Sequence, residues 1–361
     1  MVDSDNRLSA PDIAAVLANY PPDCQPTSAQ SLGAAGGMSG AQFWRLTTAR
    51  GGQILRRWPH EFPPPERLRF IHAVLRHAAG RGIGFLPIPA TTRQGETFVE
   101  FARHLWELAP LKPGVADYEQ TPSAEKLRTA MIALAQFHNA VADFNIGRQT
   151  ESSPATQTNA VGRHAQRLRE LERTGTADLT SAIADAHWPD LAPLARRFLQ
   201  KLPRALPVAL RQLEPLAFAK FPLLPCIRDI WHEHVLFLGN TVTGLIDFGA
   251  VEIDTPATDI TRLLGSLESV TPESPFPFRE GQGEGATSAT ATTWSEGLNG
   301  YQTERMLTPD EIRATQALHT SGTLLAGCNW IRWIYGEHRE FEDHTQVVKR
   351  FRHILAAMSV E

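Results

Sequence analysis

The segment at residues 226–249 constrains the fold more than any other stretch of the 361-residue chain. Two short runs, 235–238 and 241–246, are rich in apolar and β-branched residues, which is typical of β-strands. The Gly-Asn pair at 239–240 can adopt the positive φ angles of a two-residue hairpin turn. The pattern therefore predicts a β-hairpin that is followed directly by the tripeptide Asp-Phe-Gly.

The register of this hairpin decides which side chains share a face. A two-residue turn places Leu238 opposite Thr241, and the same register places His234 opposite Leu245. Asp247 is then the diagonal neighbour of His234 on the same face. We therefore expect one metal ion to be able to contact both side chains.

These residues resemble the catalytic segment of aminoglycoside phosphotransferases and choline kinases, a family of small-molecule kinases with a protein-kinase-like fold. The family carries His-x-Asp, an Asn five residues after the Asp, and Asp-x-Gly after a short hairpin. The resemblance places Asp229 on the catalytic Asp, and His234 and Asp247 on the metal-binding positions. Two positions depart from the pattern, because Ile227 replaces the His and His234 replaces the Asn.

The resemblance implies an α+β, two-lobed, protein-kinase-like fold with a small β-rich N-lobe and a larger helical C-lobe. It predicts an N-terminal extension with a short helix at 1–30, the N-lobe at 31–111 and the C-lobe at 112–361. The C-lobe would hold the catalytic hairpin at 226–249. It would also hold a mobile insertion at about 271–292, where the sequence is of low complexity.

A glycine-dense stretch lies at the start of the predicted N-lobe. Glycines between strands let the backbone approach a ligand and direct N–H groups at phosphate oxygens. The stretch matches neither the phosphate-loop motif nor Gly-x-Gly-x-x-Gly, but in this position it resembles the glycine loop of the kinase-like family. The residues assigned to nucleotide binding there are Gly36, Gly37, Ser39 and Gly40.

The next strand, predicted at 53–58, offers a cation for the phosphates of a nucleotide. Alternation puts Ile54, Arg56 and Trp58 on one face and Arg57 on the other. The resemblance implies that Arg56 contacts the phosphates.

The family pairs this cation with a Glu on the following helix, which apolar periodicity predicts at 66–79. Glu66 is the only acidic residue there and lies in the first turn, whereas Ile71 or His72 occupies the position expected for the Glu. The partner of the cation therefore stays open. Beyond a hairpin at 96–111, backbone groups near Glu107 and Ala109 are expected to meet an adenine.

In the predicted C-lobe, His138 closes a helix and is interpreted as a structural core residue. The resemblance also implies that Asp259 supports the catalytic loop. Several arginines follow one helical stretch, which is usual for a solvated face, but they could instead line a cleft for an anionic substrate. These arginines are Arg163, Arg167, Arg169 and Arg173.

The composition is that of a soluble globular protein, with 42% hydrophobic and 20% charged residues. A formal net charge of -4 gives no long-range attraction for nucleic acid or an anionic membrane, so neither is expected as a partner. The three cysteines form no disulfide framework, and the sequence shows neither a signal peptide nor an apolar run of about 18 residues. We therefore expect a cytoplasmic protein.

The resemblance implies transfer of a phosphoryl group from ATP to a hydroxyl group of a small molecule, with Mg²⁺ or Mn²⁺ as the metal. Choline-like, aminoglycoside-like, homoserine-like and sugar acceptors all remain open, as does the oligomeric state. Two alternatives stand beside this interpretation. One is a nucleotide- or ligand-binding protein that has lost transfer, and the other is a metal-dependent hydrolase that uses the pair His232 and His234.

Overall fold

The computed structural model describes residues 10–34, 40–144, 159–183, 188–268, 286–341 and 343–358. The chain divides into two compact units. The first comprises Met1–Asp117 and Glu233–Ala250, and the second comprises Tyr118–His232 and Val251–Glu361. The described part of the first unit is built on an antiparallel sheet and that of the second mainly on helices, which confirms the predicted α+β fold class.

The described strands are β1 (Pro26–Gly33), β2 (Gln42–Thr48), β3 (Gly51–Arg57), β4 (Val99–Phe101), β5 (His104–Pro110), β6 (Leu224–Cys226), β7 (Val235–Leu238), β8 (Thr241–Leu245) and β9 (Glu252–Asp254). The described α-helices are α1 (Ala10–Leu17), α2 (Pro65–Gly80), α3 (Ala124–Ala140), α4 (Asn159–Thr174), α5 (Ala177–Ala182), α6 (Ala192–Leu213), α7 (Ala257–Glu268), α8 (Ala286–Gln302), α9 (Pro309–Ile331) and α10 (His344–Ala357).

The sheet of the first unit has the strand order β1-β2-β3-β5-β4, and its neighbouring strands are antiparallel. Alternation brings side chains of β2, β3 and β5 into one buried cluster, where the indoles of Trp44 and Trp106 stack with centroids 5.5 Å apart. Helix α1 adds Val16 and Leu17 to this cluster, and Tyr20 joins it just beyond the end of the helix. The N-terminal helix is therefore part of the core of this unit rather than an extension.

Strand β1 begins before the predicted N-lobe start at residue 31. Most of its side chains are exposed, because β1 is an edge strand that pairs only with β2 in the described sheet. Its polar sequence lacks the apolar alternation that would have revealed a strand.

Helix α2 follows the three prolines as predicted, and begins and ends one residue beyond the predicted bounds. Pro65 occupies its first turn, where the missing N–H group costs no helical hydrogen bond. Its apolar side packs Leu68 against Trp58, Phe98 and Leu105. This packing holds the apolar side of α2 against Trp58, the residue that follows strand β3.

The turn between β4 and β5 lies at Ala102 and Arg103, within the hairpin predicted at 96–111. Their φ angles are 50° and 63°, and both are positive as in a type I′ hairpin turn. Phe101 and His104 pair directly across it. The turn sets the register of β5 against β4, and β5 in turn pairs with β3 so that Glu107 lies opposite Arg56.

The hairpin of β7 and β8 forms where it was predicted. A β-bulge between Leu236 and Phe237 shifts its register by one residue. Val235, rather than His234, therefore lies opposite Leu245, and the predicted register was wrong. Residue alternation in the sequence carries no signal for the extra residue of a bulge.

The same hairpin belongs to the first unit, although it was predicted within the C-lobe. Phe237 and Val115 exchange backbone hydrogen bonds of 2.9 and 3.0 Å. The N–H group of Leu245 donates to the carbonyl of Phe85 at 3.1 Å. Chain order alone does not reveal such long-range pairing, which is why the assignment failed.

The second unit buries one large apolar cluster contributed mainly by its long helices, among them α4, α6, α9 and α10. Helix α9 begins with a capping box, in which Thr308 and Glu311 bond each other's backbone N–H groups. Helix α3 is capped by the side chain of Ser123. Among the described residues, no helix is both long and apolar enough to cross a bilayer.

The predicted mobile insertion at about 271–292 is helical over its last seven residues, because α8 begins at Ala286. Residues 271–285 lie outside the described part of the chain. The alanine- and threonine-rich sequence was interpreted as low complexity, but alanine is also the strongest helix former.

Candidate active site

Asp247 follows the end of β8 with a φ angle of 61°, which is uncommon for a residue other than glycine. One oxygen of its carboxylate, Oδ2, lies 3.8 Å from Nε2 of His234. The predicted neighbourhood of these two side chains is therefore present, although the bulge changed the register that predicted it. Nearly half of the Asp247 side chain is exposed, so its carboxylate is open to a ligand.

Arg56 of β3 meets the other oxygen of the same carboxylate, with Nη1 3.5 Å from Oδ1 of Asp247. Its guanidinium group stacks on the indole of Trp58, 3.4 Å from the ring centroid, and lies 5.2 Å from the Phe43 ring. A Cβ atom at Gly249 would come within 3.1 Å of the Trp58 indole, so the glycine of Asp-Phe-Gly makes room for this stack. Arginine suits the place because its planar group stacks on aromatic rings.

The carboxylate that accompanies Arg56 in the sheet comes from β5 rather than from α2. Glu107 pairs with Arg56 across the strands, with Oε1 3.9 Å from Nη1. His72 of α2 contacts the other oxygen of Glu107 at 2.7 Å, and its second ring nitrogen lies 2.7 Å from the Thr97 hydroxyl. We call Arg56, His72, Glu107 and Asp247 the Arg56 cluster.

The Arg56 cluster explains how Arg56 gains a carboxylate partner that does not come from α2. Burial raises the pKa of Glu107, but the hydrogen bond from His72 and the positive charges nearby lower it below its ordinary value. The carboxylate therefore remains charged beside Arg56. His72 replaces the family's Glu by holding a Glu from the neighbouring strand, and the open question about Glu66 is resolved in favour of Glu107.

The predicted adenine contact through the backbone of Glu107 and Ala109 does not fit the sheet. Leu105 and Leu111 are hydrogen-bonded to β3 and its flanks. In an antiparallel pair every second residue bonds the same neighbour, so the backbone groups of Glu107 and Ala109 also point at β3. The carbonyl of Leu108 points away from β3, but it already accepts from the N–H group of Ala90 at 2.7 Å.

The glycine-rich stretch is described only at its end. Gly36, Gly37 and Ser39 lie outside the described residues. Gly40 has a φ angle of 72°, a conformation that favours glycine. Its role in nucleotide binding stays a prediction.

In the second unit, Asp229 lies on the loop after β6. Its Oδ1 atom accepts a hydrogen bond from the indole Nε1 of Trp231 at 3.0 Å. The same oxygen accepts from Nη2 of Arg262, a residue of α7. The side chain of Asp229 is half-exposed, so a bound ligand could reach its carboxylate.

The loop that carries Asp229 is held from below by Asp259. The two carboxylate oxygens of Asp259 accept from the backbone N–H groups of Ile227 and Arg228, each at 2.6 Å. His138 contacts Asp259 at 3.0 Å, and its other ring nitrogen meets the Tyr301 hydroxyl at 2.7 Å. The supporting role predicted for Asp259 and the structural role predicted for His138 are therefore seen in these contacts.

Ile227, which replaces the family's His, is fully buried. Its contribution to the loop is a backbone N–H group, and every residue other than proline supplies one. Arg228 beside it has a φ angle of 66°, so the loop is sharply turned just before Asp229. We call residues 227–231 the Asp229 loop.

The pair His234 and Asp247 fits a divalent metal ion. Their facing atoms are 3.8 Å apart, which is beyond hydrogen-bond range but less than the sum of two metal–ligand bonds of about 2.1 Å. One oxygen and one nitrogen ligand suit a softer ion than the all-oxygen set preferred by Mg²⁺.

A second group of metal-type ligands among the described residues is His138, Cys226 and Asp259. These side chains are buried, and their polar atoms already bond one another, Tyr301 and the backbone. We interpret this group as structural.

The metallohydrolase alternative required His232 and His234 to share an ion on a strand. The residues instead form a single 3-10 turn. His232 is buried with Nε2 3.8 Å from Glu119, whereas His234 faces Asp247. The two imidazoles thus lie beside different carboxylates, which argues against a shared metal ion and a metallohydrolase site.

The sequence and the fold of the chain are similar to those of known phosphotransferases. The model of the phosphotransferase enzyme family (APH) matches residues 32–298, which is more than half of the chain. The chain belongs to this family. The resemblance seen in the sequence is thereby confirmed, and the chain is a small-molecule phosphotransferase with a hydroxyl group as acceptor.

Individual relatives are distant. A homoserine kinase of Beijerinckia indica subsp. indica is 26% identical over 303 residues, which cover 81% of this chain and 77% of that protein. A spectinomycin phosphotransferase in complex with ADP and spectinomycin aligns with a TM-score of 0.63 at 12% identity, covering 98% of this chain and 99% of that one. An amicoumacin kinase in complex with AMP-PNP and Ca²⁺ aligns with a TM-score of 0.62 at 14% identity, covering 96% and 92%. These two structures confirm the protein-kinase-like fold.

Proposed function

We propose that this phosphotransferase uses ATP and a divalent metal to phosphorylate the hydroxyl group of a small molecule. The observation that carries the proposal is the Arg56 cluster, in which a cation and an exposed carboxylate meet at the end of a hairpin. Phosphoryl transfer needs mainly positioning and neutralisation of charge, and these are the groups that supply both. The nucleotide complexes of the spectinomycin and amicoumacin enzymes support ATP as the donor.

In the first unit, Arg56 would bind phosphate oxygens through its remaining N–H donors. Asp247, together with His234, would hold Mg²⁺ or Mn²⁺, which neutralises phosphate charge when bound. Glu107 and His72 would keep the guanidinium group in place, because Arg56 and His72 are buried and His72 holds Glu107 at 2.7 Å. The backbone of the glycine-rich stretch would add N–H donors to the phosphates.

In the second unit, Asp229 would accept the proton of the acceptor hydroxyl or orient that hydroxyl for attack. Its Oδ1 atom is fixed by Trp231 and Arg262. The backbone below it is fixed by Asp259. A carboxylate held on both sides in this way is oriented before the substrate arrives.

The test is to incubate the protein with ATP, Mg²⁺ or Mn²⁺ and a panel of alcohols. The panel holds L-homoserine, choline, glucosamine and spectinomycin, and mass spectrometry detects the phosphorylated product. We expect one class of acceptor to gain a phosphoryl group, and we expect Asp229→Asn to abolish that product. Tight ATP binding without product from any acceptor would favour the binding-protein alternative, which the departures at Ile227 and His234 motivated.

A further inference from the structure

The surroundings of Asp229 are strongly basic. Arg262 bonds Asp229 and also lies over the Trp231 ring, with its guanidinium carbon 4.7 Å from the centroid. Arg350 of α10 lies over the same ring at 5.5 Å. Two guanidinium groups therefore share one indole beside a single carboxylate.

The sequence explains why Arg262 reaches this place. Arg262 stands three residues after Asp259 on α7, so the two side chains project from the same side of that helix. Asp259 fixes the backbone of the Asp229 loop. The turn of helix that anchors the loop thus also presents an arginine to Asp229.

Further arginines add to the positive charge. Burial and, to a lesser extent, the charges of four arginines lower the pKa of His164 to about 4. Two of them, Arg163 and Arg228, face the buried carboxylate of Asp254 at 3.1 and 4.0 Å. The others are Arg262 and Arg167, and Arg167 bonds the neutral side chain of Asn329. Cations thus outnumber carboxylates among these contacting groups.

Arg262 has donor capacity that its contacts do not use. Its Nε atom is buried without a hydrogen-bond partner among the described residues. A buried donor of a charged group is costly to leave unpaired, so such a group points to a ligand. Nη2 already donates to Asp229, but 37% of the Arg262 side chain is exposed, so further donors of its planar guanidinium group can meet a carboxylate.

We propose that the hydroxyl acceptor carries a carboxylate, and that Arg262 is the residue that selects it. The inference rests on the proposed function, because it concerns the acceptor of that reaction. The carboxylate of the acceptor would accept hydrogen bonds from Arg262 beside Asp229. A hydroxyl group of the acceptor a few bonds away would then lie against the carboxylate of Asp229. A polycationic amino sugar would instead meet like charges at this site.

The test compares pairs of acceptors, one with a carboxylate group and one without it. L-Homoserine and 4-hydroxybutyrate carry a carboxylate, and 3-aminopropan-1-ol and propan-1-ol are the matched compounds without one. We expect kcat/KM with the acids to exceed that with their partners by about 100-fold, since charged hydrogen bonds are lost in the partners. Equal or better turnover of 3-aminopropan-1-ol, or turnover of spectinomycin instead of the acids, would overturn the inference while leaving the kinase function intact.

A binding measurement is independent of turnover. Titration calorimetry of 4-hydroxybutyrate into the ATP-free protein should show binding that Arg262→Gln weakens about 10- to 100-fold. Absence of binding to the wild-type protein, or equal binding to both proteins, contradicts the inference. Absence of ADP release with every alcohol of either set would instead contradict the proposed function.

Two further variants separate binding from positioning. Arg262→Lys keeps the charge and should restore part of the affinity for the acid, with the change seen in KM for the acceptor rather than in KM for ATP. Arg313→Gln is the matched control, because Arg313 is an exposed arginine that pairs with Asp310 one turn away. If Arg262→Gln lowers kcat for every acceptor without changing acceptor KM, Arg262 only positions Asp229 and the inference fails.

Discussion

The Arg56 cluster of the first unit and the Asp229 loop of the second unit differ in what holds them. Side chains from three elements hold Arg56, namely Trp58, Glu107 and Asp247, and His72 stands behind Glu107. The Asp229 loop is held through its backbone, because Asp259 accepts two main-chain N–H groups.

The difference explains how each site responds to a change of sequence. Arg56 needs a carboxylate side chain close by; Glu66 lies in the first turn of α2, and Glu107 of β5 supplies the carboxylate. Replacement of the family's His by Ile227 leaves the backbone bond to Asp259 in place. A position that acts through its backbone can change its side chain, whereas a position that acts through its side chain needs a substitute nearby.

The largest effect on stability should come from the backbone support. Asp259→Ala leaves two buried N–H groups and His138 without their acceptor, and should lower the free energy of unfolding by about 3–5 kcal/mol. Ile227→Val keeps the backbone bond and should cost only about 0.5–1.5 kcal/mol. Urea denaturation measures both. A loss for Ile227→Val as large as that for Asp259→Ala would show that the side chain, not the backbone, matters at 227.

Acid should affect the second unit first. Burial lowers the pKa of His164 and of His319 to about 4 each, so the folded state keeps them neutral while the unfolded chain takes up protons below about pH 6.5. Their stabilisation is complete above pH 6.5 and falls as the pH drops towards 4, by on the order of 3 kcal/mol per histidine.

Glu107 in the first unit affects stability at a lower pH than the two histidines do. Its pKa is lowered, so its contribution persists above the ordinary carboxyl value of about 4.3 and is lost only below it. Pulsed hydrogen exchange after incubation between pH 7 and 4.5 should therefore show loss of protection in α4 and α9 before β3 and β5. Simultaneous loss in both units would contradict this order, and His319→Asn should reduce the pH dependence of α9.

A smaller effect is expected on nucleotide affinity. Arg56→Ala should weaken ATP about 10- to 100-fold and leave adenosine nearly unchanged, because only charged contacts are lost. Glu107→Gln should weaken ATP less, since it removes the charge that positions Arg56 and not Arg56 itself. Arg45→Ala, an exposed arginine on β2, is the control for charge alone. Equal weakening of ATP and adenosine would exclude a phosphate role for Arg56.

The smallest effect concerns the choice of metal. His234 offers a nitrogen beside Asp247, so ATP turnover should prefer Mn²⁺ to Mg²⁺ by a modest factor, and His234→Asn should reverse this preference. An unchanged metal ranking in the variant would place His234 outside the ligands of the metal.

Local patterns predicted the parts of the molecule that depend on neighbouring residues. The hairpin of β7 and β8, helix α2, the turn at Ala102 and Arg103 and the capping box of α9 follow from turn residues, periodicity and capping. The proximity of Asp247 and His234 was expected from the hairpin, although the register used to predict it was wrong, and the contact of Arg56 with Asp247 was not predicted.

Features that depend on long-range pairing were missed. Glu107 as the partner of Arg56 needs the register of β5 against β3, and these strands are far apart in the sequence. The bulge in β7 and β8 has no signature in alternation. Arg262 did leave a signal, because it stands one helical turn after Asp259, which the sequence had already placed beneath the Asp229 loop.

The central claim is that the first unit binds the phosphates and metal of ATP while Asp229 of the second unit acts on the acceptor hydroxyl. The direct measurement is ATP affinity with Mn²⁺ and ATP turnover in Asp229→Asn and Asp247→Asn, side by side. We predict that Asp229→Asn keeps ATP affinity and loses turnover by about 100- to 10,000-fold, whereas Asp247→Asn loses both metal-dependent affinity and turnover. Near-normal turnover in Asp229→Asn, or unchanged metal-dependent ATP binding in Asp247→Asn, would contradict the account.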